Sequence, residues 1–130
     1  MEQEKFSLQK RLESFKYAFN GLKLLLKIEH NSRIHLFVTI CVVIAGFSLR
    51  ISLFEWALIV LAVGFVFSME IINSSIEKLA DFVSPAKHET IKIVKDMAAA
   101  AVLVSAIAAA IIGLIIFIPK ILDHLPPCSL

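Results

Sequence analysis

One stretch of this sequence constrains the fold more than any other: 23 consecutive residues, Met97–Pro119, carry no charge. A helix needs about 20 apolar residues to cross the hydrocarbon core of a bilayer. The stretch is therefore predicted to span a membrane. The composition agrees, because 58% of the 130 residues are hydrophobic and only 18% are charged, against roughly 45–50% apolar and 25% charged in soluble domains.

Two further apolar stretches are candidates for membrane spans. Trp56–Ile76 holds a single charge, Glu70, and Ile34–Leu49 is a run of 16 residues between Arg33 and Arg50. The shorter run can span only if both arginines reach the interfaces, so a buried soluble helix is its alternative. We predict three spans, at about 33–50, 55–82 and 86–119.

The residues before the first span form an amphipathic pattern. Leu12, Phe15, Phe19, Leu22 and Leu26 recur at intervals of three and four, which places them on one face of a helix. We expect a helix over about 7–29 that lies on the membrane surface, with an ordinary soluble amphipathic helix as the alternative. The expected fold is an all-α membrane protein, a single domain over 1–130 with an N-terminal surface helix and three transmembrane helices.

The distribution of basic residues predicts the orientation in the membrane. Seven Lys and Arg precede Ile34, one lies at Arg50, four lie from Lys78 to Lys95 and one at Lys120. The positive-inside rule then places the N-terminus and the loop after the second span in the cytoplasm. In that loop, Ser84 and Pro85 suit the N-cap and first position of the helix that leads into the third span.

Four polar residues follow one another at the end of the second span. Glu70, Asn73, Glu77 and Asp81 are separated by three, four and four positions, so they lie within about 80° of one another on a helix. Acids at this spacing repel each other, and an intramembrane carboxyl is costly. We therefore expect a positive partner there, which is a cationic side chain of the protein, a divalent metal such as Mg²⁺, or bound protons. The candidate lysines are Lys78, Lys92 and Lys95.

Several functional classes are disfavoured. The four glycines form neither GxxxxGK[ST] nor GxGxxG, which excludes the known soluble kinase folds. A net charge of +2 gives no indication of nucleic-acid binding, and Cys41 and Cys128 have no metal-type spacing. Two alternatives to an enzyme stay open: a small oligomeric proton- or cation-coupled transporter with Glu70 as the relay, and a non-catalytic assembly factor whose acidic face docks a basic partner.

Two motifs resemble those of a known family, the small integral-membrane lipid kinases of bacteria that include diacylglycerol kinase and undecaprenol kinase. Residues 69–77 read M-E-I-I-N-S-S-I-E and are followed by Asp81, similar to the family's E-x-x-N-[ST]-[AS]-I-E-x-x-x-D. Residues 95–102 read K-D-M-A-A-A-A-V, similar to K-D-[ML]-[AG]-[AS]-[AG]-A-V. Weaker support comes from Ser14-Phe15 with Ala18 and Gly21, and from residues 29–35. The resemblance covers roughly residues 11 to 120.

The resemblance implies a homotrimer in the bacterial cytoplasmic (inner) membrane, with the active site on the cytoplasmic side, that takes part in phospholipid metabolism. Each subunit would transfer the γ-phosphoryl group of ATP, with Mg²⁺, to the hydroxyl of a lipid alcohol. Glu70 would be the general base, and Glu29 and Glu77 would hold the metal. The implied ATP-binding residues are Tyr17, Glu29, Glu77, Ala86, Lys87, His88, Lys95 and Asp96. Arg33, Glu70 and Ala99 would lie near the lipid, and Asn73 and Asp81 would support the acids.

The resemblance also bears on the lipid. Some relatives that prefer diacylglycerol carry an acidic residue where this chain has His35. Arg33 with His35, Glu55 with Trp56, and the ending at 117–120 are more similar to the undecaprenol-kinase branch. Undecaprenol is therefore the favoured substrate, with diacylglycerol as the alternative.

Overall fold

The computed structural model describes residues 8–86 and 88–124, and its elements are four α-helices. They are α1 (Leu8–Ile28), α2 (His30–Ser48), α3 (Leu53–Val83) and α4 (Glu89–His124). The described ranges contain no strand. The last three helices have 19, 31 and 36 residues and are each long and apolar enough to cross a membrane. The predicted fold class, an all-α membrane protein with an N-terminal helix before three spans, is confirmed.

The first helix keeps the amphipathic pattern and contacts the rest of the chain near its end. Leu12, Phe15 and Phe19 are 65–70% exposed, whereas Leu25 is buried. The helix stops at Glu29, whose backbone is extended (φ −92°, ψ 120°). An exposed apolar stripe of this kind is suited to the boundary between lipid and water.

A tight turn reverses the chain between α2 and α3. The Ile51 N–H donates to Gly46 O at 3.1 Å and the Arg50 N–H donates to Phe47 O at 3.3 Å, the two bonds of a Schellman motif. Arg50 takes a positive φ of 51°, at the position where glycine is usual. The turn makes α2 and α3 antiparallel neighbours.

Close packing of α3 against this turn fixes the neighbouring side chains. Gly46 is buried, and a Cβ added there would lie 2.8 Å from Cη2 of Trp56 and 3.1 Å from Cδ1 of Ile51. Ile51 in turn belongs to a buried apolar cluster with Ile59 of α3 and Ile116 of α4. The end of α2, the start of α3 and the end of α4 therefore meet at one end of the bundle.

Polar contacts at that same end define where α3 begins and tie it to α4. The Glu55 N–H donates to Ser52 Oγ at 3.3 Å, and the Ser52 N–H donates to Glu55 Oε2 at 2.6 Å, which is a capping box. Glu55 Oε2 also lies 3.2 Å from Lys120 Nζ. Because α3 and α4 are antiparallel, the last turn of α3 lies beside the first turns of α4 at the opposite end.

The prediction that Ser84 and Pro85 begin the last helix is wrong. The Ser84 N–H donates to Ala80 O at 3.0 Å, so Ser84 closes α3 instead. A residue before proline is pushed out of the helical region, and Ser84 is extended at φ −139°. The next helix begins at Glu89, where the Thr90 N–H donates to Nδ1 of His88 at 3.3 Å.

Candidate functional site

The four polar residues of α3 pass from the buried interior to the exposed end of the helix. Glu70 is only 2% exposed, Asn73 and Glu77 are half-buried, and Asp81 is exposed. Asn73 Nδ2 donates to Glu77 Oε1 at 3.2 Å. These residues share one face because their spacing follows the helical repeat.

The buried carboxylate of Glu70 is contacted from α2. Ser32 Oγ donates to Glu70 Oε2 at 3.4 Å, and His35 Nε2 lies 3.2 Å from Glu70 Oε1. The imidazole is within ion-pair distance of Oε1 without the alignment of a hydrogen bond. The side chain that lies beside Glu70 Oε1 is therefore a histidine, a contact that sequence reasoning missed. The signal was the spacing of Ser32 and His35, which puts both on one face of α2.

Three buried side-chain oxygens lie close together on α3 without a hydrogen bond. Within the described residues they are Glu70 Oε1, Asn73 Oδ1 and Ser74 Oγ. Buried polar atoms are nearly always paired in folded proteins, so such a group of them is characteristic of functional sites. Asn73 Oδ1 can only accept a hydrogen bond or bind a cation, and the same holds for Glu70 Oε1 when the carboxyl is ionised.

A second polar group lies where α3 ends and α4 begins. Lys95 Nζ lies 2.9 Å from Asp81 Oδ1, so a lysine is the positive partner of this acid. The pair borders an open depression of about 660 Å³. Five residues predicted for the site line this depression: Asp81, Ala86, His88, Lys95 and Asp96. Lys87, also predicted for the site, lies outside the described residues.

A smaller depression of about 320 Å³ lies between α1 and α3. It brings Glu29 to the same surface as Ser74, Ser75 and Lys78. Glu77 follows these serines on α3 and is half-buried like Glu29. The described part of the chain contains no group of three or more His, Cys, Asp or Glu side chains arranged to hold a metal.

Three predicted residues are not drawn into these depressions. Tyr17 is 70% exposed on α1. Arg33 of α2 and Ala99 of α4 are also exposed. The structure thus gathers the acids and Lys95 near one end of the bundle and leaves these three on the outer surface of a single chain.

Comparison with known proteins identifies similar chains over most of this length. The family described as prokaryotic diacylglycerol kinase matches residues 16–117. Undecaprenol kinase of Bacillus subtilis is 38% identical over 114 residues, covering 88% of this chain and 93% of the relative. Diacylglycerol kinase of Synechocystis sp. is 37% identical over 113 residues, covering 86% and 65%. Diacylglycerol kinase of Helicobacter pylori is 37% identical over 92 residues, covering 70% and 71%.

Proposed function

Because this chain belongs to the prokaryotic diacylglycerol kinase family and is a membrane lipid kinase, we propose that it transfers the γ-phosphoryl group of ATP to the hydroxyl of a lipid alcohol. The observation that carries the proposal is the buried carboxylate of Glu70, whose Oε1 has no hydrogen bond. A base needs an oxygen free to take a proton, and burial protects the reaction from water.

Glu70 is the general base in this proposal. The lipid hydroxyl oxygen forms a bond to the γ-phosphorus as its proton passes to Glu70 Oε1, and the bond from the γ-phosphorus to the β-bridging oxygen breaks, releasing ADP. Phosphoryl transfer depends mainly on positioning and charge stabilisation. Glu70 is suited to positioning the hydroxyl because its second oxygen, Oε2, accepts a hydrogen bond from Ser32.

The side chains around Glu77 fit a magnesium ion. Magnesium takes oxygen ligands and often uses only one or two carboxylates besides waters and phosphate oxygens. Glu29 and Glu77 would hold the ion, and the buried Asn73 Oδ1 beside Glu77 is an acceptor without a hydrogen bond. When bound, the ion neutralises charge on the ATP phosphates.

ATP binding is assigned to the depression at the start of α4. Lys95 and His88 are basic groups on its wall, and a lysine is a common partner of phosphate. Asp81, already paired with Lys95 at 2.9 Å, supports that lysine, and Asn73 supports Glu77. The remaining proposed ATP-binding residues are Tyr17, Glu29, Glu77, Ala86, Lys87 and Asp96.

Undecaprenol is the proposed lipid, with Arg33 and Ala99 near it. The undecaprenol kinase of Bacillus subtilis is similar over 93% of its own length. His35, which lies beside the base, stands where some diacylglycerol-preferring relatives have an acid. Diacylglycerol is the alternative, because two diacylglycerol kinases are nearly as similar in identity.

The proposed assembly is a homotrimer in the bacterial cytoplasmic membrane, with the N-terminus and the site facing the cytoplasm. The basic residues before α2 and between α3 and α4 support this orientation. Exposed apolar side chains along α2, α3 and α4 support contact with lipid and with other subunits.

The test is transfer of radiolabelled γ-phosphate from ATP, with Mg²⁺, to undecaprenol and to diacylglycerol in separate mixed-micelle assays. Glu70→Gln should lower kcat by roughly 10²- to 10⁴-fold, because an amide cannot accept the hydroxyl proton. Glu13→Gln, the same change at an exposed residue of α1, serves as the matched control and should keep wild-type kcat.

Comparing the two lipids tests the proposed substrate separately from the proposed general base. Faster transfer to undecaprenol than to diacylglycerol, lost in Glu70→Gln, is the expected result. Preference for diacylglycerol would overturn the proposed substrate and leave the base in place. Full activity of Glu70→Gln would overturn the assignment of the base.

A further inference from the structure

The first turns of α2 provide two polar side chains that face the carboxylate of Glu70. Ser32 is fully buried, and its Oγ donates to Glu70 Oε2. His35, three positions later, brings Nε2 to 3.2 Å from Oε1. A single face of α2 therefore contacts both oxygens of this buried acid.

The two oxygens are held differently. Oε2 accepts a hydrogen bond from Ser32, while Oε1 has the imidazole beside it and no aligned hydrogen bond. A buried charge is costly unless polar groups compensate it. The side chains recorded against this carboxylate are Ser32 and His35, both from α2.

We propose that Ser32 and His35 are positioning residues that fix the Glu70 carboxylate, Ser32 through Oε2 and His35 beside Oε1. The inference rests on the proposed role of Glu70 as general base. Side chains that hold a catalytic group in a productive geometry affect the rate strongly, because a displacement of about 1 Å can cost 10²-fold. Their loss should therefore lower kcat while substrate binding stays the same.

The experiment compares five variants in the lipid phosphorylation assay. His35→Gln keeps an amide nitrogen near the place of Nε2, whereas the shorter His35→Asn places its nitrogen nearer Nδ1. We expect His35→Asn to lower kcat by roughly 10- to 100-fold and His35→Gln to recover at least fivefold of that loss. Ser32→Ala should lower kcat by roughly tenfold. KM for ATP and for the lipid should change little in all three.

Ser48→Ala is the matched control for Ser32→Ala, because Ser48 lies at the other end of α2 and its Oγ donates only to Ile44 O at 2.9 Å. It should retain wild-type kinetics. Circular dichroism and elution as one sharp peak establish folding for each variant, and the two His35 variants decide the question if Ser32→Ala does not fold.

Glu70→Gln in the same assay distinguishes this inference from the proposed function. An inactive Glu70→Gln together with wild-type kcat in Ser32→Ala and His35→Asn would overturn the positioning role alone. A raised KM for the lipid with unchanged kcat would overturn it as well, since that result belongs to a lipid contact. His35→Gln as slow as His35→Asn would remove the role of Nε2, and an active Glu70→Gln would remove the base and this inference with it.

Discussion

Two lysines of α4 form ion pairs at opposite ends of the bundle, and the two pairs differ in how exposed their side chains are. The side chains of Lys95 and Asp81 are 35% and 63% exposed, more than the 26% and 23% of Lys120 and Glu55. Lys120 pairs with Glu55, which also caps α3. Exposed pairs contribute little to stability, so Lys95 is better explained by binding than by folding.

This difference gives a prediction at the scale of single residues. Lys95→Gln should raise KM for ATP by roughly tenfold, as expected for loss of a charge-assisted contact to phosphate, with little change in the melting midpoint. Lys120→Gln is the matched control, and we expect a lower melting midpoint with unchanged KM for ATP. Kinetics at varied ATP and thermal unfolding in detergent measure both.

Unchanged KM in Lys95→Gln would remove this lysine from the nucleotide site. An equal rise of KM in both variants would point to a general effect of charge on ATP approach rather than to the local contact.

At the residue scale, the sequence predicted the acids more fully than their partners. Glu70, Asn73, Glu77 and Asp81 could be grouped because a helix repeats along the chain. Ser32 and His35 face Glu70 from another helix, and the relative register of two helices depends on packing that spacing does not encode. Lys95 was one of three lysines available to the acids, and the geometry pairs it with Asp81.

At the scale of elements, the turn between α2 and α3 depends on one glycine. A Cβ on Gly46 would come within 2.8 Å of the Trp56 ring, closer than carbon atoms can approach without movement. The added Cβ would also lie 3.1 Å from Cδ1 of Ile51. An alanine here therefore requires the Trp56 ring, Ile51 or the helices that carry them to move.

Gly46→Ala should therefore reduce the free energy of unfolding by about 1–3 kcal/mol, the usual cost of overpacking. Gly113→Ala in α4 is the matched control, since nothing lies within 4 Å of its added Cβ. There the substitution should be neutral or stabilise by about 0.5–1 kcal/mol through helix propensity. Denaturant titration in detergent measures both, and equal stability of the two variants would contradict the close packing.

Helix ends were harder to predict than helices. The apolar stretches predicted three spans because length and lack of charge are local properties. The start of α4 could lie after either of two possible N-cap residues, Ser84 or His88. Ser84, before Pro85, instead ends α3, and α4 begins at Glu89 after His88. The Ser-Pro pair in the sequence does not show which of the two residues precedes α4.

At the scale of the whole molecule, a single chain buries little of its apolar surface. Only eight hydrophobic side chains in the described ranges are buried, while large apolar residues along all four helices stay exposed. Lipid and neighbouring subunits can both cover an apolar surface of this extent. A large exposed apolar surface is expected of a subunit that works in an assembly within a membrane.

We predict that the purified protein is a homotrimer in detergent and that activity follows the trimer. Light scattering coupled to size exclusion gives the mass of the protein part, and dilution into excess micelles should reduce mass and specific activity together. A monomer with full activity would contradict the proposed assembly, and a stable dimer would correct its stoichiometry.

The antiparallel order of α2, α3 and α4 has a consequence for the lipid pool itself. Ser32, Glu70, Asp81 and Lys95 gather toward one end, whereas Glu55 and Lys120 close the other. If the proposed site works from this end, the enzyme acts on one leaflet only. In a sealed vesicle with all copies facing the same way, phosphorylation would stall near half of the lipid unless the alcohol crossed the bilayer, so transbilayer flipping would set the supply for this reaction.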